Sequence, residues 1–129
     1  TGGSNAGASY IFTRSGSTWT EQAKIVGGYR GSDDRFGQSV SISDDGNTAI
    51  VGSYREDTGA SIGGAAYIFT RSGSTWTEQA KIQASDIEAG DQFGWSVSVS
   101  GDGNTAIVGS YREDTGGSDA GSAYIFVAG

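Results

Sequence analysis

One 57-residue unit occurs twice in this chain, and this duplication restricts its fold more than any other feature. The segment YIFTRSGSTWTEQAKI stands at 10–25 and returns unchanged at 67–82, and YIF begins again at 124. Between 10–66 and 67–123, 41 of the 57 positions are identical. A tandem duplication of this kind indicates stacked structural repeats, each of which buries its apolar face against its neighbour.

Short apolar runs separated by turn residues predict four β-strands per repeat. The four runs of the first repeat are 10–13, 19–25, 36–43 and 48–54. Asp45 and Gly46 predict a tight turn between the last two runs, because Asp-Gly tolerates the positive φ of a hairpin turn. In the run 19–25, alternation predicts that Trp19, Ala23 and Ile25 share one face of the strand.

The run 36–43 has an asymmetric pattern, with large side chains opposing small ones. Val40 and Ile42 lie on one face, and Ser39 and Ser41 lie on the other. Bulky side chains pack well against small ones when sheets stack face to face, so we expect this strand to be buried on both sides.

Composition excludes several functional classes. The chain has 15 acidic and 8 basic side chains and a net charge of -7, which predicts no nucleic-acid partner and no anionic membrane partner. It has no cysteine and no histidine, and therefore lacks thiolate metal ligands and the commonest general base. A G-x-S-x-G sequence does stand at 59–63, but the chain has no histidine to activate its serine. We therefore expect neither a cofactor nor an enzymatic activity.

Two longer motifs carry a family resemblance. FGQSVSIS and DGNTAIVGS fall within 36–53, FGWSVSVS and DGNTAIVGS fall within 93–110, and a glycine-rich loop and YIF follow each pair. These motifs resemble FG-GAP repeats. The resemblance implies an all-β fold of four-stranded antiparallel β-propeller blades, as in integrin-α-type propellers, and an extracellular parent protein. It also implies a strand order in which FG is innermost, TAIVGS second, YIF third and the tryptophan strand outermost.

In this frame 1–129 is a single propeller fragment of about two blades, closed by oligomerisation. We expect 1–25 to supply strands three and four of a shared blade, 26–82 to form a complete blade, and 83–129 to supply strands one to three of a shared blade. Near-identical repeats make the two lateral faces of the fragment complementary, which favours a head-to-tail ring. The expected partner is therefore the chain itself, as a homotrimer or homotetramer.

In such a ring the shared blade would contain two copies of the YIF strand, 10–12 and 124–126, although it has only one third-strand position. We expect the copy at 124–126 to occupy the third position of the shared blade, unless the turn at 15–17 keeps 10–12 paired with 19–25. Aromatic side chains are expected to fill the contacts between blades. They are Tyr10, Phe12, Trp19, Phe36, Trp76, Phe93, Trp95, Tyr124 and Phe126.

Calcium is the metal that the resemblance raises, because many FG-GAP repeats bind it through a run of the form D-x-D-x-D-G-x-x-D. Here the corresponding loops have shrunk to 43–47 and 100–104, which leaves Asp44, Asp45 and Asp102 as weak candidate ligands. Calcium takes six to eight oxygen ligands, so we expect no metal site. Asp45 and Asp102 are expected to serve the turns instead.

A ligand face is the other candidate site. The resemblance places two charged segments at the end of the propeller where integrin-like propellers bind ligands. Their residues are Tyr54, Arg55, Glu56 and Asp57, and Tyr111, Arg112, Glu113 and Asp114. The tyrosines could stack on a sugar. The alternative, which we favour, is that the segments are turns whose arginines and glutamates pair at the surface for little energy.

The repeats suggest two functions. The first is a self-assembling structural module, engineered or recently amplified, because positions expected to be exposed, such as Thr20, Gln22 and Lys24, repeat as faithfully as buried ones. The alternative is a fragment of an extracellular binding propeller, a lectin or an adhesion protein, with a glycan or protein ligand.

Overall fold

The computed structural model describes residues 6–28, 31–57, 61–113 and 120–128. These residues form nine β-strands in three antiparallel sheets. The strands are β1 (Ser9–Ser15), β2 (Thr18–Ile25), β3 (Ser39–Ile42), β4 (Thr48–Ser53), β5 (Ala65–Ser72), β6 (Thr75–Ile82), β7 (Ser96–Val99), β8 (Thr105–Ser110) and β9 (Ser122–Val127). None of the described residues belongs to a helix that could cross a membrane.

The middle sheet has four strands in the order β3-β4-β5-β6, and we call it the complete blade. This order is the one that the FG-GAP resemblance implies, with the FG strand at one edge and the tryptophan strand at the other. The first sheet pairs only β1 with β2, and the third sheet has the order β7-β8-β9. Val51 pairs with Tyr67 in the complete blade and Val108 with Tyr124 in the third sheet, so the two repeats share one register.

Two apolar cores hold the three sheets together face to face. Phe36, which lies before β3, packs edge-on against Tyr67 in the first core, with ring centroids 5.4 Å apart. Phe93 contacts Tyr124 in the same manner in the second core, at 5.6 Å. Edge-to-face contacts of this kind add to the free energy gained by burying the rings. The same phenylalanine of each repeat is thus the centre of one core.

Backbone contacts join neighbouring sheets beside these phenylalanines. The Phe93 amide donates to the Gly63 carbonyl at 2.8 Å, and the Phe36 amide donates to the Ala6 carbonyl at 3.0 Å. Gly64 has a φ of 89°, and a Cβ there would overlap the Phe93 carbonyl, so glycine is required for this close approach.

A β-bulge in the outermost strand corrects the predicted face of the tryptophan. The pairing of β5 with β6 shifts between Ile68 and Phe69, and β1 shifts against β2 at the equivalent place. A bulge adds one residue to a strand, so it reverses the alternation beyond it. Trp76 therefore packs on the first core whereas Ile82 packs on the second. The expectation that Trp19 shares a face with Ala23 and Ile25 was wrong for this reason.

The expected burial of β3 on both sides was also wrong for the single chain. Its serine face lies against the third sheet, where the Ser39 hydroxyl donates to the Gly94 carbonyl at 3.0 Å and the Val99 amide donates to the Ser41 hydroxyl at 3.2 Å. On the opposite face, Val40 is 59% exposed and Ile42 is 50% exposed. Within the described residues, the first sheet has only β1 and β2 and so no inner strand to cover them.

Candidate functional site

Glu56 lies just after β4 and is fully buried, although it was expected at a surface. Its carboxylate forms an ion pair with Lys81 of β6 and accepts a hydrogen bond from the Tyr67 hydroxyl at 3.3 Å. Burial, together with the Glu56 carboxylate, raises the pKa of Tyr67, so this hydroxyl remains a donor. We call these three residues the buried ion group. The predicted surface pairing of Glu56 with an arginine was wrong, because the carboxylate points into the blade and its cation comes from the outermost strand.

The third sheet carries part of the same arrangement. Glu113 is 3% exposed and accepts a hydrogen bond from the Ser122 hydroxyl at 2.9 Å. Tyr124, the equivalent of Tyr67, donates to Asp86 at 2.7 Å instead. Within the described residues this sheet has three strands, so the strand that carries Lys81 in the complete blade has no counterpart there.

The other charged residues of the expected ligand face make local contacts, and some of their side chains are exposed. Arg55 and Arg35 both bind Asp33, at 2.9 and 2.7 Å. Asp57 accepts a hydrogen bond from the Ile62 amide at 2.6 Å within its loop. Arg112 is exposed. Asp114 lies outside the described residues.

An aromatic cluster lies where the end of β4 meets the start of β7. Trp95 packs edge-on against Tyr54 at a centroid distance of 4.6 Å and lies tilted against Tyr111 at 4.7 Å. Tyr54 is 8% exposed, whereas Trp95 is 37% and Tyr111 is 47% exposed. The cluster therefore joins two sheets and still presents ring surface to solvent.

We expect Trp95→Gln to preserve the fold, because Gln38 occupies the equivalent position of the first repeat. The loss should be limited to the contacts with Tyr54 and Tyr111, which we put at about 1 kcal/mol each. Circular dichroism and thermal unfolding would measure it. Loss of the β-sheet spectrum in this variant would contradict the expectation and would identify Trp95 as an anchor of the contact between sheets.

Two of the three candidate calcium ligands accept hydrogen bonds within their own turns. Asp45 accepts from the Ser43 hydroxyl at 2.7 Å and from the Asn47 amide at 2.9 Å, and Asp102 makes the equivalent bonds. Hydrogen bonds from these donors lower the pKa of both carboxyl groups. Asp44 is exposed. The described residues hold no group of three or more acidic, histidine or cysteine side chains that could bind a metal.

We expect millimolar calcium and EDTA to leave the melting temperature unchanged. The loop carboxylates already accept hydrogen bonds from their turns, so a calcium ion would have to displace them. A ligand that binds only the folded state raises its stability, and thermal unfolding with calcium or EDTA therefore detects such binding. A rise of several degrees with calcium, reversed by EDTA, would contradict this expectation.

Two grooves lie beside the outer sheets, whose described residues form two and three strands. The inner groove, of about 550 Å³, lies between β1 and the exposed face of β3, and Val40 and Ile42 line it. The outer groove, of about 280 Å³, lies between β6 and β9. Gln79, Ala80 and Ile82 line its β6 side.

The tryptophans of the outermost strands have different surroundings. The Trp76 indole donates to Gln22 of the first sheet at 2.9 Å, so it joins two sheets. Trp19, its equivalent in β2, is 65% exposed. The predicted interface aromatics of the two YIF strands also differ from those of the complete blade. Tyr10 and Phe12 are about half exposed, while Phe69 is 3% exposed.

Sequence reasoning missed the buried ion group and the bulge. The glutamate stands within Arg-Glu-Asp, a pattern that usually indicates a solvated turn. The available signal was weak. A tyrosine follows Glu56 and Glu113 by 11 positions, and a lysine follows Tyr10 and Tyr67 by 14, but nothing in the sequence shows that these side chains meet.

Antiparallel sheets stacked face to face, one of them four-stranded with the FG strand at one edge, are consistent with the blades of a β-propeller. The chain belongs to the FG-GAP repeat family, whose profile matches residues 19–69 and 76–126. Repeats of this family are typical of extracellular proteins. No curated protein matched the chain in a sequence comparison.

Proposed function

We propose that the 129-residue chain is a self-assembling structural module without catalytic activity, which closes into a homo-oligomeric propeller ring. The observation that carries this proposal is the pair of partial sheets on either side of the complete blade, each beside an open groove. The first sheet has the outer strands of a blade, and the third sheet has the inner ones. Stacked head to tail, two copies supply each other's missing strands.

The inner groove suits the β7–β8 hairpin of a neighbouring copy. Within the chain, β7 packs on the serine face of β3 through Ser39, and Ser96 is the equivalent of Ser39 in the second repeat. A neighbouring β7 would bring Ser96 to the Gly37 carbonyl and cover Val40 and Ile42. Burial of half-exposed aliphatic side chains supplies the driving force, at about 25 cal/mol per Å² of apolar surface.

One YIF strand must leave the shared blade, and the geometry favours retention of β1. The hairpin with β2 is formed through the turn after Ser15, which is the condition under which 10–12 keeps its place. In addition, Arg71 of β5 donates to the carbonyls of Gly46 and Gly73 and to Asn47. Its equivalent is Arg14 in β1 but Ala128 after β9, so only β1 brings the arginine.

Deletion of one strand or the other tests this choice. Removal of 122–129 should leave the mass of the assembly unchanged, because β1 replaces β9. Removal of 1–13 should weaken the assembly, since it deletes the strand that stays. The reverse pattern would show that β9 fills the third position.

The proposal is tested by light scattering coupled to size-exclusion chromatography. We expect a mass of three or four times 13.2 kDa, which corresponds to six or eight blades, within the range of known propellers. The mass should persist on dilution into the micromolar range. A stable single chain at these concentrations would contradict the ring.

The aromatic cluster supports a second candidate, a fragment of an extracellular propeller that binds a glycan or protein. Exposed rings of Trp95 and Tyr111 at one edge could stack on a sugar face. A glycan array at high protein concentration separates the two functions. Saturable binding that Trp95→Gln abolishes would favour the binding module, whereas no binding to any glycan would favour the scaffold.

A further inference from the structure

The two partial sheets contain residues equivalent to those of the buried ion group. The equivalent tyrosine and lysine lie in the first sheet, and the equivalent glutamate lies in the third. Lys24 and Tyr10 of the first sheet reproduce the lysine and tyrosine of the group, because the Lys24 Nζ lies 5.8 Å from the Tyr10 ring centroid, as Lys81 does from Tyr67. The third sheet reproduces the glutamate, which is Glu113, buried after β8. One period of 57 residues relates each of these residues to its counterpart.

We propose that Lys24 of one copy and Glu113 of its neighbour form a buried ion pair across the subunit boundary, with β2 as the strand that enters the outer groove. This inference rests on the proposed ring. In the complete blade, the lysine of the outermost strand reaches the glutamate after the second strand. When β2 takes the outermost position beside the third sheet, Lys24 reaches Glu113 in the same way. The pair forms whether Tyr10 or Tyr124 fills the third strand.

A second contact places β2 in the same groove. Trp76 of the complete blade donates its indole hydrogen bond to Gln22 of the preceding sheet. The equivalent donor in β2 is Trp19, which is exposed, and the equivalent acceptor is Gln79, which is exposed and lines the outer groove. A neighbouring β2 in this groove brings Trp19 to Gln79. The lysine–glutamate ion pair and the tryptophan–glutamine hydrogen bond, each seen within the chain, would therefore both form again between neighbouring copies.

The position of this pair makes it a determinant of register between copies. Glu113 lies below the surface of the third sheet, so a lysine reaches it only when β2 is paired in the register seen in the complete blade. A register that brings another side chain of β2 to Glu113 forgoes this ion pair, and complementary charges across an interface favour the register that forms them. The ion pair thereby selects the second copy of this chain over an arbitrary strand.

Charge reversal tests the inference. Lys24 is exposed in the single chain, so Lys24→Glu should fold normally, and we expect its assembly to weaken by about 30-fold or more in dissociation constant. Glu113→Lys should weaken it similarly. The double variant Lys24→Glu/Glu113→Lys restores opposite charges in every interface and should recover the mass of the wild-type assembly.

A matched control carries the same change in net charge at a distance from the groove. Ser17→Glu/Ser74→Glu adds two negative charges in exposed outer turns and should leave the assembly intact. If Lys24→Glu assembles as tightly as this control, or if the double variant shows no recovery, the ion pair is overturned while the ring stands. A wild-type protein that remains monomeric would overturn both the ring and the ion pair. Failure of the ring is therefore seen in the wild-type protein, and failure of the ion pair alone is seen in the variants.

Discussion

Lys81→Met is expected to lower the free energy of unfolding by about 3–5 kcal/mol, because it leaves the Glu56 carboxylate buried without its cation. Glu56 is fully buried, and the Lys81 side chain is only 25% exposed, so solvent screens the pair weakly. Methionine keeps much of the volume of the lysine stem, and the loss therefore reports the charge rather than packing. Chemical denaturation of the purified variant measures it.

The control for this prediction removes both charges. Glu56→Gln/Lys81→Met should be clearly more stable than Lys81→Met alone, because an amide is much less costly to bury than a carboxylate. Tyr67 can still donate to the amide oxygen of glutamine. If the double variant is as unstable as the single one, packing around Lys81 and not the buried charge is responsible.

Gly52→Ala is expected to lower the free energy of unfolding by about 3 kcal/mol. A Cβ on Gly52 would overlap the Gly94 carbonyl, a backbone atom of the neighbouring sheet that cannot rotate away. The complete blade and the third sheet would have to separate. For a chain of this length the melting temperature should fall by about 10 °C, as differential scanning calorimetry would show.

Gly109→Ala is the matched control, one period further along the chain. In the single chain its Cβ would come close only to the Ser96 hydroxyl, at 2.5 Å, which can change rotamer, while the Ser96 carbonyl oxygen lies at an ordinary 3.8 Å. We therefore expect a loss of less than about 1 kcal/mol in the single chain. In the proposed ring the same Cβ would face the Gly37 carbonyl of a neighbour, so assembly should be lost. Equal destabilisation of the single chain by both substitutions would contradict the contact between sheets as the cause.

Much of the fold followed from the repeat itself. The 57-residue period, the four strands per unit and the turns at Gly46 and Gly103 depend on local preferences and alternation, which a sequence displays directly. The strand order followed from the family resemblance rather than from alternation. Alternation gave the wrong face for the tryptophan of the outermost strand. The bulge opposite Phe69 adds a residue to β6, and no glycine or proline in the sequence indicates it.

The candidate sites were less accessible to prediction. Asp45 and Asp102 were expected to serve turns, and each accepts hydrogen bonds within its turn. Glu56 was expected at the surface and is buried. The two cases differ in sequence separation. Asp45 accepts hydrogen bonds from residues two positions away, whereas Glu56 pairs with a lysine 25 positions further along the chain.

The sequence by itself determined the repeat, the blade-forming strands and the equivalence of residues 57 positions apart. Only the tertiary structure decided which faces are covered, where the bulge lies, and that glutamate, tyrosine and lysine meet inside a blade. The physical reason is that strand formation and tight turns depend on neighbours in sequence, whereas burial and ion pairing depend on which strands lie side by side. In this chain those strands are Thr48–Ser53, Ala65–Ser72 and Thr75–Ile82, and their side-by-side order brings Glu56 to Lys81.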